Sequence, residues 1–448
     1  MAAVHQTQTA SMASLSKSET SSKPASRAGT VFALAALVRL VLFELPGLAD
    51  LLASRVEIST PITSFKRLSE GVFLFRNGVP PYSGGVVHQA PLLLGLFYPI
   101  ISIPVLVRLL YIASDLAIGS MLSRMAELKA SQMSRKQQHE KENTTGSMAE
   151  MEGSTWSGLT VASLYLFNPF TVASCVGQST ILFSNVAVVA SLWMGMKGNK
   201  SIAMFGVALA AYLSLYPIML AIPVALLLTQ HIDGESKKRA IQLSVGFLAT
   251  WTVALLGLSW VLVGSWDFMS SVYGTILSVR DLTPNLGLLW YFFIEMFDHF
   301  RPFFLVVFQL HLFIFAAPVS IKLRHHPLFV AYLLTAIIGT LKAYTSVGDA
   351  SLYLGLLPLY SEVFKYMRYS FLIGNLFLYS SCLAPIFWYL WVYLGSGNAN
   401  FYYAVGLVYG IGEIILMVDS TYALLRRDFD LQNPPTKPED WSREVLQK

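Results

Sequence analysis

The sequence has 448 residues, 54% of them hydrophobic and only 13% charged. Soluble domains totalling that length would need about twice the share of charge to cover their surfaces, so a mean hydropathy of +0.56 predicts a polytopic membrane protein instead. The net charge of +5 would suit a nucleic-acid surface, but in a membrane protein the same excess is the Lys/Arg bias of cytosolic segments, and no nucleic-acid partner is expected.

In chain order, residues 1–27 are polar and rich in Ser, Thr and Ala, which predicts a disordered cytosolic tail. The apolar run 28–45 is longer than a signal-peptide core and lacks a small-residue cleavage site after it, so it reads as an uncleaved anchor. Further spans are expected at 103–122, 158–176, 180–196, 201–215, 217–229, 240–263, 302–321, 327–344, 350–364, 370–394 and 401–425. The fold class is therefore all-α, with about twelve transmembrane helices filling a membrane domain at 28–427. The stretch 92–100 is apolar but too short to cross, and reads as interfacial or re-entrant. Residues 124–156 read as a cytosolic loop and 428–448 as a cytosolic C-terminal tail.

Charge tests this topology. Of the 31 basic residues, 22 fall in segments that the alternation places in the cytosol, and each such segment has at least two. Both termini are then cytosolic. The sequons at Asn143 and Asn199 fall on that side and should be unused.

Two large loops face the other side, 46–90 and 265–301. In the first, Leu51, Ile62, Phe65, Leu68, Val72 and Phe73 form the apolar stripe of helices lying in the interface. In the second, Thr283-Pro284-Asn285 reads as a helix start, and the Trp/Tyr/Phe density reads as an interface belt. Glu295, Asp298 and His299 fall within one helical turn, but an ordinary polar helix edge is the stronger reading, and neither a metal nor a cofactor is expected. A third segment, Gly395-Ser-Gly-Asn398-Ala-Asn400-Phe-Tyr-Tyr403, combines a glycine-rich turn, two carboxamides and an aromatic cluster. Carboxamides donate and accept, which suits a sugar hydroxyl or a phosphate, although Asn is also an ordinary turn residue.

The spans contain Arg39, Glu44, Arg108, Asp115, Lys342, Glu362, Glu413 and Asp419. Charges at that depth need partners, and pairing within the bundle is the expectation, with Arg108 and Asp115 sharing one helix face. At the cytosolic ends, His231, Arg324 and His325 belong to clusters that could meet anionic lipid headgroups, or could simply set topology. Cys175 and Cys382 lie in apolar runs without a His nearby in sequence. No catalytic residue is assigned.

Four stretches carry a family resemblance: SWDFMSSVYGTILSVRDLTPNLGLLWYFFIEMFDHF, LYLFNPFTVASCVGQST, AYLSLYPIML and GSGNANFYYA. They resemble the U subunit of the glycosylphosphatidylinositol (GPI) transamidase, the PIG-U family, over nearly all of 31–427. The resemblance implies a non-catalytic, multi-pass subunit in the endoplasmic reticulum membrane. Its complex would replace a C-terminal signal with GPI, the nucleophile residing in a separate cysteine-protease-like subunit. It further implies GPI lipid and membrane phospholipids as partners, with Asn398, Asn400 and Tyr403 facing the GPI. A more distant similarity, through GVPPYSGGVVHQAPLL and the Asn168-Pro169 helix, is to dolichol-phosphate-mannose-dependent mannosyltransferases. That implies a transferase-like scaffold with two large lumenal loops, and an alternative in which Glu57 is a catalytic base. The stretch Glu57-Ile-Ser-Thr-Pro61 lacks the acidic pair of those enzymes. A transporter is a third reading, without an internal repeat to support it.

Overall fold

A computed structural model describes residues 24–143, 155–230, 232 and 234–433. Among them the secondary structure is helical, with no strand. Helix α1 (Pro24–Glu44) turns through 90° into the short α2 (Leu48–Ser54), because Gly47 adopts a φ of 73° that a side chain would resist. The first loop continues through α3 (Phe65–Arg76) to α4 (Pro91–Phe97). The expected apolar stripe divides there: Ile62, Leu68 and Val72 are buried, while Leu51 and Phe73 are exposed. Gly71 lets α3 close onto α4, since a Cβ would lie 2.9 Å from Leu94 Cδ2.

Helix α5 (Pro104–Asn143) overrides the expected loop at 124–156 in its first half. The stretch after Arg124 is rich in Ala, Met, Glu, Gln and Lys, strong helix formers that prolong the helix past its apolar part. The next expected span is a broken pair, α6 (Gly158–Leu166) and α7 (Pro169–Val176), bent by 55°. Pro169 cannot continue α6, and the Asn168 side chain accepts from Phe170 N at 2.9 Å to start α7. Then follow α8 (Ile181–Met196), α9 (Lys200–Ser214), α10 (Ala221–Thr229) and α11 (Gly234–Val263).

The second loop holds a π-helical turn, α12 (Thr275–Ser278) and α13 (Leu289–Glu295). Thr283-Pro284-Asn285 does not start a helix: the Asn285 Oδ1 accepts from Gly287 N at 2.7 Å, and the next helix begins only at Leu289. The chain ends in α14 (Arg301–Ile314), α15 (Ala316–Lys322), α16 (Pro327–Leu341), α17 (Val347–Leu356), α18 (Ser370–Trp388) and α19 (Ala399–Gln432). Helix α16 is apolar all round and buried over almost its whole length, which makes it the centre of the bundle.

Among the described residues, five helices are long and apolar enough to cross a membrane, or up to seven when each bent pair is one span. The expected spans at 180–196, 201–215, 217–229 and 327–344 are helices shorter than about 20 residues, the length that matches the hydrocarbon core. The expected span 350–364 is no single helix, because α17 passes into a 3₁₀ segment kinked at Tyr360.

The intramembrane charges find partners within the bundle, as expected. Arg39 Nε donates to Asp115 Oδ2 at 2.6 Å, its other nitrogens donate to Ala35 O and Leu166 O, and Tyr165 OH donates to Asp115 Oδ1 at 2.8 Å. Arg108 instead reaches Glu44 at 2.8 Å. Lys342 meets Asp349, the N3 residue of a capping box that opens α17. Lys129 meets Glu362 at 2.6 Å, Glu413 accepts from Tyr353 OH, and Asp419 accepts the backbone N–H groups of Arg368 and Tyr369.

Because Arg39 and Asp115 are both fully buried, Arg39→Ala should destabilise the protein by about 3–5 kcal/mol, through the stranded carboxylate. The double variant Arg39→Met/Asp115→Leu should recover most of that loss. Thermal unfolding of the detergent-solubilised chain, followed by size-exclusion chromatography, reads both; a single variant as stable as the parent would contradict the assignment.

Candidate functional site

The two loops are locked to each other on one face of the bundle. Arg67 in α3 pairs with Asp281 at 2.8 Å, His88 Nδ1 lies 2.7 Å from Ser271 O, and Ser271 OH donates to Tyr82 O at 3.0 Å. Partial burial pushes the Asp281 carboxyl up, but the Thr283 donors and the Arg67 charge outweigh it and hold the pKa below the usual value. Burial pulls the His88 imidazole down, more strongly than the Ser271 carbonyl pulls it up.

Beside this clamp, the Gly395–Asn400 turn joins α18 to α19. Gly395 takes a φ of 63°, and the N–H groups of Ser396 and Gly397 both reach Leu390 O at 3.0 Å. Asn398 caps α19, its Oδ1 accepting from Asn400 N at 3.1 Å and Phe401 N at 3.3 Å. Tyr291 of α13 donates to Asn400 Oδ1, and its ring stacks on Tyr403 with centroids 4.3 Å apart. The buried Trp290 supports Tyr403 edge-on. Both carboxamide oxygens are thus engaged inside the protein. The two Nδ2 groups remain, on exposed residues, as a pair of outward donors.

The structure brings Asn398, Asn400 and Tyr403 together and adds Tyr291, which the sequence offered only as one aromatic among many. The other expected residues lie apart. Glu57 is buried, held by Arg55 through bonds of 3.1 and 2.9 Å, and its carbonyl accepts from Val347 N. Both Glu57 oxygens thus accept from the Arg55 guanidinium. His231 lies outside the described residues. Arg324 Nε lies 3.4 Å from His325 Nε2, and His325 lines a cavity of about 320 Å³ with Lys129, Gln230 and Arg427. His299 packs on Phe300, and no cluster of three His, Cys, Asp or Glu among the described residues is placed to hold a metal ion. Cys175 is buried and Cys382 exposed on α18.

Sequence reasoning missed one further feature. Arg55 and Glu57 stand at the edge of an apolar cavity of about 350 Å³, walled by α2, α7, α18 and α19. The broken helices on its border, at Gly47 and Pro169, were the available signal.

The family model for GPI transamidase subunit PIG-U matches residues 33–409. The chain is 38% identical over 415 residues to a human protein named GPI-anchor transamidase component PIGU, covering 90% of this chain and 94% of the relative. It is 36% identical to the Saccharomyces cerevisiae GPI transamidase component GAB1, with 86% and 91% covered. The Schizosaccharomyces pombe homologue of GAB1 is 34% identical, with 86% and 91% covered.

The clamp carries a pH dependence. Because the His88 pKa is lowered on folding, the folded loops bind its proton less readily than the unfolded chain. The contribution is fully present above the unfolded value of about 6.5 and fades as pH falls below it. Hydrogen-exchange protection in 265–301, corrected for intrinsic rates, should therefore fall between about pH 7.5 and about pH 5.5. His88→Gln should flatten that profile; an unchanged profile would remove His88 as its source.

Proposed function

This chain belongs to the family of GPI transamidase subunit PIG-U, and from that premise we propose that it presents the GPI lipid within the complex without itself doing chemistry. It is a GPI transamidase component; the relatives' names carry that role and give the mannosyltransferase alternative no support. The observation that carries the presenting role is the face below the Asn398–Asn400 turn. The exposed side chains Leu407, Ile411, Ile414 and Val418 follow one another down the same outward face of α19 as Asn400. Successive residues turn by about 100°, so these positions stay within about 40° of Asn400. A glycolipid needs that arrangement: donors for its phosphates and hydroxyls above, an apolar track for its tails below.

The two Nδ2 groups donate to the glycan or its phosphate, and Tyr403 offers an aromatic surface beside them. The glycan lies at the membrane face that carries loops 46–90 and 265–301, which this reading places in the lumen of the endoplasmic reticulum. Both termini, with the tails 1–27 and 428–448, are then cytosolic. The membrane domain 28–427 crosses about twelve times, the short central helices being shielded from lipid by their neighbours. The nucleophile comes from a cysteine-protease-like partner. The engagement of Glu57 by Arg55 supports an accessory role here. At the cytosolic end, His231, Arg324 and His325 meet anionic lipid headgroups, a reading supported by the position of His325 beside Lys129 and Arg427.

In cells lacking the native protein, Asn398→Ala/Asn400→Ala should lower surface GPI-anchored protein at least several-fold, while the complex still assembles. Single Asn398→Asp and Asn400→Asp changes, which replace a donor by a negative charge, should be more severe than the single alanine changes. Flow cytometry with affinity purification of the complex reads this; normal anchoring with both asparagines replaced would sink the site. Neutralising His231, Arg324 and His325 together should lower the anionic lipid that co-purifies, read by native mass spectrometry.

A further inference from the structure

The cavity behind Arg55 is on the opposite side of α19 from the presenting face. Tyr409 lines it, and Tyr409 follows Asn400 by nine residues. Nine steps of about 100° amount to two and a half turns, so the two side chains leave the helix in opposite directions. Tyr402 and Tyr409 are both buried, whereas Asn400 and Leu407 are exposed. A lipid tail descending from the Asn398–Asn400 turn along the outward stripe cannot enter this cavity without crossing the helix.

We propose that the cavity is a second lipid site, which holds one acyl chain of a resident glycerophospholipid with its phosphate at Arg55. The wall is apolar: Leu51, Ile58, Phe170, Ala173 and Leu286 leave water few partners, and a site of about 350 Å³ suits a hydrocarbon chain. Helix breaks shape the walls: the α1–α2 bend, Pro169 at the start of α7, and Pro385 inside α18. The polar end is an ion pair with one guanidinium donor to spare. Arg55 uses Nε and Nη2 on Glu57, and its Nη1 has no partner among the described residues, while the side chain is 15% exposed. On the same cavity, the buried Ser381 hydroxyl also has no partner. A guanidinium donor and a hydroxyl donor on one apolar cavity match a phosphate and an ester carbonyl. A glycerophospholipid carries both; a plain hydrocarbon carries neither.

The test uses the complex purified in mild detergent from cells given a phosphatidylcholine with a diazirine midway along one acyl chain. After illumination, labelled peptides are mapped by mass spectrometry. Label is expected on α7 around Ala173 and on α18 around Ser381, and Ala173→Leu, which fills the cavity, should reduce it at least five-fold. Label confined to the outward face of α19 would overturn the proposal, and that result is read on the unmodified protein whether or not the variant assembles. Cells unable to make GPI provide the second arm: unchanged label supports a resident phospholipid, and a several-fold rise in label would show that GPI otherwise fills the cavity and would overturn the proposal. A diacylglycerol probe with the same chain tests the head. It should label at least ten-fold less than phosphatidylcholine, and Arg55→Gln/Glu57→Gln, which keeps the site neutral, should abolish the difference. Equal labelling by both probes in the unmodified protein would overturn the role of Arg55.

Discussion

Every charge placed inside an apolar bundle must be neutralised there, and this constraint organises the molecule. An unpaired carboxylate or guanidinium among hydrocarbon side chains is costly enough that the fold must bring partners together across long sequence distances. Arg39 and Asp115 are 76 positions apart and fully buried. Their pair, completed by Tyr165 and the Leu166 carbonyl, binds α1, α5 and α6 into one unit. The Leu166 carbonyl is available because α6 stops there: the next turn is broken at Pro169. A helix break and an ion pair thus satisfy each other. The same logic places Lys342 on Asp349 and Asp419 on the start of α18, which fixes the end of the bundle around α16.

Once those pairs are set, the central helices need not span a bilayer by themselves. Helices α9, α10 and α16 are short, and their ends meet other protein groups. The backbone groups that a lipid could not satisfy are satisfied by Ser, Thr and Tyr side chains, as at Thr345 OH to Gly339 O, or Tyr273 OH to Tyr212 O. Non-helical backbone is then tolerated at depth, including the kinked 3₁₀ segment after α17. The clamp between the two loops rests on this platform, since Tyr344, just beyond α16, accepts from Asp281 N.

Much of this was legible in the sequence, for definite reasons. Apolar runs located the helices, because burial and hydrocarbon both demand them. The turn at Gly395–Asn400 was legible because only a glycine-rich stretch with carboxamides forms such a corner. The partners of the charges were not. Spacing put Arg108 and Asp115 on one helix face, yet each pairs with a residue of α1, because only tertiary packing decides which charges meet. The helical half of 124–156 was obscured by its polarity: hydropathy reads exposure, and α5 remains a good helix after it leaves the apolar core. Tyr291 escaped for the same reason as the cavity. Neither has a sequence pattern, and both arise where distant segments converge.

The last helix shows how one element serves two faces. Its buried side carries Tyr402 and Tyr409, and is fastened by hydrogen bonds from Glu413 to α17 and from Asp419 to the start of α18. That fastening leaves the other side no freedom to turn inward, so the stripe from Leu407 to Val418 must face lipid or a partner. The cap at Asn398 then fixes where the stripe begins. It uses the carboxamide oxygen for the helix and leaves the nitrogen outside the cap. A Ser or Asp cap would serve the helix as well, but neither offers the same outward amide donor. Capping alone therefore does not single out Asn at this corner, whose nitrogen is left over once the oxygen has capped the helix.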